Sequence, residues 1–314
     1  MSIQGLLNIK KAVSKLNPKD ARAQGERQVH IALHASNPLS YERMEDFFLR
    51  ELSPARRQES AASISRDPHP ATALSYDLSI YDENAAAPSR ALIFEPNRPE
   101  RLVQKILDTH QDLGVSLAKA FPPFRDPFVN RVIGKVSKEN TLFSLTTALP
   151  DVIPNIIELP WAVAEFASDS AFLTMNQIRM AFLIAAASDR EVGYREQKSE
   201  VAGIIGSAFG WRALARQVVG KIPFGGGLIG KAAIAYAGTK VVGLSLDRFY
   251  RMGYHYTKAE RESLYMDAFR QGKTVAGRIL THLRPDLAAR QAEEQEKRTI
   301  IVAPGEQGGY PNRA

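Results

Sequence analysis

Residues 28–43 read QVHIALHASNPLSYER, and the fold turns on this stretch. Positions 28–35 alternate between apolar and polar and then become wholly apolar, which predicts a strand. Residues 41–52, YERMEDFFLREL, follow with helical spacing. A strand that enters a turn with a helix behind it is where a nucleotide-binding protein carries its phosphate loop. That loop has the pattern GxxxxGK[ST]. Its glycines let backbone N–H groups approach the phosphates, its lysine neutralises charge and its hydroxyl binds magnesium. In register after the strand, the pattern falls on Ala35 to Glu42. Ala35 and Ser40 then stand where glycines are required, Tyr41 replaces the lysine, and Glu42 replaces the hydroxyl residue. An acidic side chain at that point repels phosphate. The layout is kept and its chemistry is gone.

Working outward, residues 53–72 (SPARRQESAASISRDPHPAT) form a polar loop or linker, and strands are expected at 74–82 (LSYDLSIYD) and 90–95 (RALIFE). A helix follows, introduced by Asn97, Pro99 and Glu100. Strand–helix–strand–strand–helix predicts a small three-layer parallel sheet. The second of these strands ends in Asp82, where a GTPase has DxxG, but Ala85 stands in the glycine position. The chain holds no NKxD guanine-reading motif.

From residue 127 the pattern is helical. Pro150, Pro154 and Pro160 break residues 141–167 into short helices. Residues 170–187 are apolar on nearly all sides, with Asn176, Gln177 and Arg179 at the centre. That run falls slightly short of a membrane span, and residues 222–246 are long enough but include Lys231 and Lys240. Both read more readily as bundle helices that dip into or lie against a membrane. Thr257-Lys258-Ala259-Glu260 is a capping box opening a helix towards Gln271. Residues 225–232, GGGLIGKA, imitate a phosphate loop lacking only its hydroxyl. With little strand before it and no DxxG after it, a glycine-rich turn between packed helices explains it better. Gly206/Gly210 and Gly226/Gly230 are GxxxG pairs, whose small residues let helix backbones approach closely.

The chain is 314 residues long, with 44% hydrophobic and 24% charged residues, as expected of a globular protein with a real core. It contains no cysteine, which excludes disulfides, thiolate metal sites and cysteine nucleophiles. The net charge of +7 favours anionic surfaces. Basic residues are not interleaved with exposed aromatics, so nucleic acid is not the expected partner. The N-terminal stretch carries no secretory-signal pattern. It reads as a basic amphipathic helix, with Ile3, Leu6, Leu7, Val13 and Leu16 on one face and Lys10, Lys11, Lys15 and Lys19 towards the other. Such a helix can lie on an anionic membrane or pack on the domain. His30 and His34 share a strand face without a third metal ligand. Asp151, Glu158 and Glu165 recur every seven residues, the spacing of an amphipathic polar side as much as of paired catalytic carboxylates. No catalytic residue, metal or cofactor is assigned.

NTLFSLTTALPDVIPN (140–155), FLTMNQIRMAFLIAAASDR (172–190) and GWRALARQVVGKIPFGGGLIGKAAIAYAGTKVVG (210–243) together resemble the C-terminal domain of YcjF-like proteins. That bacterial family is often described as inner-membrane, and the same domain is found fused to Era/Der-type GTPase domains. The resemblance implies α/β plus all-α architecture, with a degenerate P-loop-GTPase-like sheet ahead of a helical domain. The expected division is a basic helix over 1–25, the degenerate domain over 26–126, the helical domain over 127–285 and a polar tail over 286–314. The function it implies is a non-enzymatic adaptor or regulator at the cytoplasmic face of the bacterial inner membrane, with an anionic membrane surface and an unidentified protein as partners. The alternatives are an atypical GTP- or ATP-binding switch and a soluble structural homo-oligomer. Asn176, Gln177, Arg179, Gly226 and Gly230 are candidates for packing or for contact with a partner or lipid. Ser40, Tyr41, Glu42 and Asp82 mark the degenerate nucleotide site.

Overall fold

The computed structural model describes residues 3–66, 76–149, 169–206 and 227–289. Four short strands, β1 (Ile31–His34), β2 (Ile64–Arg66), β3 (Leu78–Asp82) and β4 (Leu92–Phe94), form one sheet in the order β2-β1-β3-β4. Every pairing is parallel, with Ile31 opposite both Ile64 and Leu78, and Ile80 opposite Leu92. Parallel strands need crossovers and bury both faces. Accordingly Ile31, Ala32 and Leu33 have no exposed surface, and β3 alternates between the buried Leu78, Ile80 and Asp82 and the half-buried Ser79 and Tyr81.

The β1–β2 crossover begins with a proline-started helix. Asn37 and Pro38 open α3 (Pro38–Leu49) three residues earlier than its apolar periodicity indicates, because the Asn37 side chain caps the helix and Pro38 fits its first turn. The polar segment expected to be a loop contains a further helix, α4 (Pro54–Ala61), and the edge strand β2. Its sequence, PARRQESA, has no apolar stripe to announce a helix. Residues 67–75 lie outside the described part. After β4, α5 (Pro99–Thr109) buries Leu102, Val103, Ile106 and Leu107, and a single 3-10 turn leads into α6 (Gly114–Ala120).

The spine is α7 (Pro122–Thr146), 25 residues long, which runs through the boundary expected at 126/127. Its first turns receive the sheet layer: Phe48 of α3 meets Phe121 and Phe124 at centroid distances of 5.5 and 6.0 Å. Its later turns meet α8 (Asp169–Ala187), where Phe143 and Phe172 stack at 3.9 Å. Residues 198–206 are helical (α9). They are followed by α10 (Leu228–Met252) and by α11 (Lys258–Leu283), which opens on the Thr257–Glu260 capping box and continues twelve residues beyond Gln271. Among the described residues from 127 onward there is no strand. One apolar cluster runs from Ile9 through the sheet to Tyr250, so sheet and helices share a core.

Two close helix approaches use glycine. A Cβ on Gly243 of α10 would lie 2.6 Å from the Ile133 side chain on α7, and one on Gly272 of α11 would lie 2.9 Å from the Ala233 carbonyl on α10. The N-terminal stretch is two helices, α1 (Ile3–Val13) and α2 (Pro18–Glu26), separated by a turn that Asn17 and Pro18 end by capping α2. Ile9, Ala12, Val13 and Leu16 are buried, with α1 packed on α8. The Tyr194 hydroxyl donates to the Val13 carbonyl at 2.6 Å and holds that turn down. Lys10, Lys11, Lys15 and Lys19 remain exposed. Within α8, Ser170–Ala187 is long and apolar enough to cross a membrane, and 78% of it is buried inside the protein.

Candidate functional site

The chain leaves β1 towards β2 on one side and returns to β3 on the other, so its direction of winding reverses between β1 and β3. In open parallel sheets, the crevice outside the carboxyl ends of the strands at such a reversal is where ligands bind. Here it is formed by His34 at the end of β1, the Ser36–Asn37 loop, the first turn of α3, and Tyr81 and Asp82 at the end of β3. His34 and Tyr81 are opposite each other in the ladder, and their rings stack at 4.4 Å.

Asp82 is 3% exposed, and a carboxylate that deep needs donors. One of its oxygens accepts from the Ser36 backbone N–H and from the Ser36 hydroxyl, both at 2.7 Å. The other accepts from the Asn84 N–H at 2.6 Å. Burial pushes the carboxyl up, but the donors of Ser36 and Asn84, joined by the Ser40 hydroxyl, outweigh it and hold the group at about 2. Asp82 is therefore an anion at neutral pH.

The Asn37 side chain and the Ser40 N–H are also engaged within the loop. The Asn37 side-chain oxygen accepts the Ser40 N–H at 2.9 Å, and its amide donates to the Ser36 and Ser40 hydroxyls at 3.1 Å each. A phosphate loop works by aiming N–H groups at an external anion. In this loop, the N–H of Ser36 points at the protein's own carboxylate and that of Ser40 at the protein's own cap. Tyr41, in the lysine position, carries the Arg66 guanidinium 3.7 Å from its ring centre, a cation–π contact that joins α3 to the sheet edge. Glu42 is exposed.

Of the four expected residues, the structure brings Ser40 and Asp82 together and places Tyr41 and Glu42 elsewhere on α3. Ser36 and Asn84 complete the arrangement and were not singled out by the sequence. Asn37-Pro38 is a legible cap signal, whereas the Ser36–Asp82 tie spans 46 residues and has no local signature.

The other candidates lie apart from this crevice. Asn176 donates to Asn140 at 2.9 Å, Asn140 donates to Thr239 at 2.8 Å and Gln177 donates to the same Thr239 hydroxyl at 3.2 Å. This polar layer ties α7, α8 and α10 together within the bundle, with Asn140, Asn176 and Thr239 wholly buried. Arg179 pairs with Glu139 one turn further along α8. Gly226 lies outside the described residues. Gly230 is buried in the first turn of α10, and the Lys231 N–H already bonds the Gly227 carbonyl at 3.1 Å. Residues 228–231 are thus helix and do not form a phosphate-wrapping loop. His30 faces Asp77 at 3.8 Å, and among the described residues no group of three or more His, Asp or Glu side chains could hold a metal ion. Asp151, Glu158 and Glu165 fall outside the described part. Compared with family models, curated proteins and solved structures, the chain matches none.

Proposed function

We propose that this chain is a non-enzymatic, membrane-associated adaptor or regulatory protein whose α/β part is a degenerate GTPase-like element kept as a binding surface. The observation that carries this reading is the Asp82 carboxylate, which takes up the Ser36 N–H from within. An internal anion where phosphate would be held supports a surface that recognises something other than nucleotide. The GTPase-like part rests on the β1–loop–α3 unit and on Asp82 ending the neighbouring strand. The whole-sheet order, with β2 beside β1, is that of a doubly wound sheet of the flavodoxin type.

The lipid-facing part of the reading is electrostatic. Packing of α1 on α8 buries Ile9, Ala12 and Val13, while Lys10, Lys11, Lys15 and Lys19 are exposed, as is Leu7 at 52%. Clustered lysines near an anionic leaflet contribute about 1 kcal/mol each and are screened by salt. Flotation with phosphatidylglycerol vesicles tests this. Co-flotation at low salt that is released by high salt is the expected result, and a protein that stays in the soluble fraction throughout contradicts the lipid part.

A further inference from the structure

A groove of roughly 1170 Å³ lies between α7 and α11, with α5 at one end. Its α7 wall is a single stripe from Pro127 through Gly134 and Lys138 to Leu142, and Ile279 of α11 faces it. At 1.5 Å per residue that stripe is about 22 Å long, or four turns. Small-molecule pockets run to about 1000 Å³, so the groove is large and elongated for one.

Its charge is one-sided. Lys135 and Lys138 on α7 and Arg278 on α11 are exposed along the rims, and none forms an ion pair with a described residue. The acids at the groove are already engaged: Asp126 binds Arg251 at 2.8 Å, and Glu139 binds Arg179 and also feels the charge of Lys135. The floor includes Gly134, where an added Cβ would meet nothing within 4 Å. A glycine inside a helix costs about 1 kcal/mol relative to alanine, and no packing within the described chain requires this one. Absence of a side chain there leaves room for another backbone to come close.

We infer that this groove is a docking site for an acidic amphipathic helix of a partner protein. The helix lies between α7 and α11, its apolar face on Gly134, Leu142 and Ile279 and its carboxylates on Lys135, Lys138 and Arg278. This is helix-in-groove recognition, and it deepens the adaptor reading by naming the class of partner.

The test uses two labelled helical peptides of about four turns that share a leucine face, one flanked by glutamates and one by lysines. Fluorescence anisotropy against the full chain is expected to give saturable micromolar binding of the glutamate peptide and at least roughly tenfold weaker binding of the lysine peptide. Lys135→Glu with Lys138→Glu, both at exposed sites, should weaken the glutamate peptide by at least about tenfold. Gly134→Leu, with folding checked by circular dichroism, should abolish binding. Equal affinity for both peptides, binding untouched by these variants, or no binding up to about 1 mM overturns the inference. So does capture of phosphatidylglycerol vesicles through Lys135 and Lys138 without peptide binding, which reassigns the groove to lipid. Nucleotide binding in the Asp82 crevice would instead overturn the parent reading, and peptide binding would be unaffected by it.

Discussion

Asp82 and Ser36 are joined twice, through the Ser36 backbone N–H and through its hydroxyl, each 2.7 Å from the same carboxylate oxygen. This relationship closes the end of the sheet and predicts a pH signature. The group lies at about 2 against an ordinary 3.8. A depressed carboxyl contributes stability that is complete above its unfolded value and is lost as pH falls through the folded one. The contribution is therefore full above about pH 4 and disappears towards about pH 2, and it amounts to roughly 2 kcal/mol. In urea unfolding, Asp82→Asn should lower stability by about 1–3 kcal/mol at pH 7 and should lack that part of the acid decline. Parallel pH profiles for the two proteins contradict the assignment.

Glu139 and Arg179 form a pair inside the bundle, with side-chain exposures of 8% and 22%. Burial pushes the Glu139 carboxyl up, and Arg179 and, more weakly, Lys135 oppose it. Arg179→Met alone leaves a buried carboxylate unpaired and should cost about 3–5 kcal/mol. Glu139→Gln combined with Arg179→Met should recover most of that loss. A double-mutant cycle by chemical denaturation measures the coupling, and additive losses would show that the two groups act independently.

Two glycines make opposite predictions. Gly134→Ala adds a methyl group into open space in mid-helix and should stabilise the protein by up to about 1 kcal/mol. Gly272→Ala drives a methyl group against the Ala233 carbonyl and the Tyr236 Cβ, at 2.9 and 3.0 Å, and should cost about 1–3 kcal/mol. Thermal unfolding of the two variants side by side decides it, and a shift of the same sign in both contradicts the packing described.

Thr239 accepts from both Asn140 and Gln177. Thr239→Val keeps the volume but strands two buried amide donors, so a loss of about 1–3 kcal/mol is expected. A neutral outcome in equilibrium unfolding would mean that the amides find other partners.

Much of this was legible where local chemistry is strong. The β1 strand, the α11 capping box and the helical character from residue 127 follow from apolar periodicity and from Thr257 and Glu260. α4 escaped notice because a helix without an apolar stripe looks like a linker, and β2 because three residues cannot establish alternation. Asp82 is expected at a strand end, and it is the last residue of β3. Its partner Ser36 is set by the pairing of β1 with β3, a tertiary fact. Asn176 and Gln177 stood out as polar residues in an apolar run, yet their partners Asn140 and Thr239 lie on two other helices. Gly134 carries no motif at all, and only the open space beside it gives it meaning.

The central claim is that the crevice at β1 and β3 no longer handles phosphate, and equilibrium dialysis of labelled GTP and ATP with magnesium tests it most directly. The expected result is no saturable binding of either nucleotide up to about 1 mM. Micromolar binding that disappears in Asp82→Ala or Ser36→Ala would contradict it.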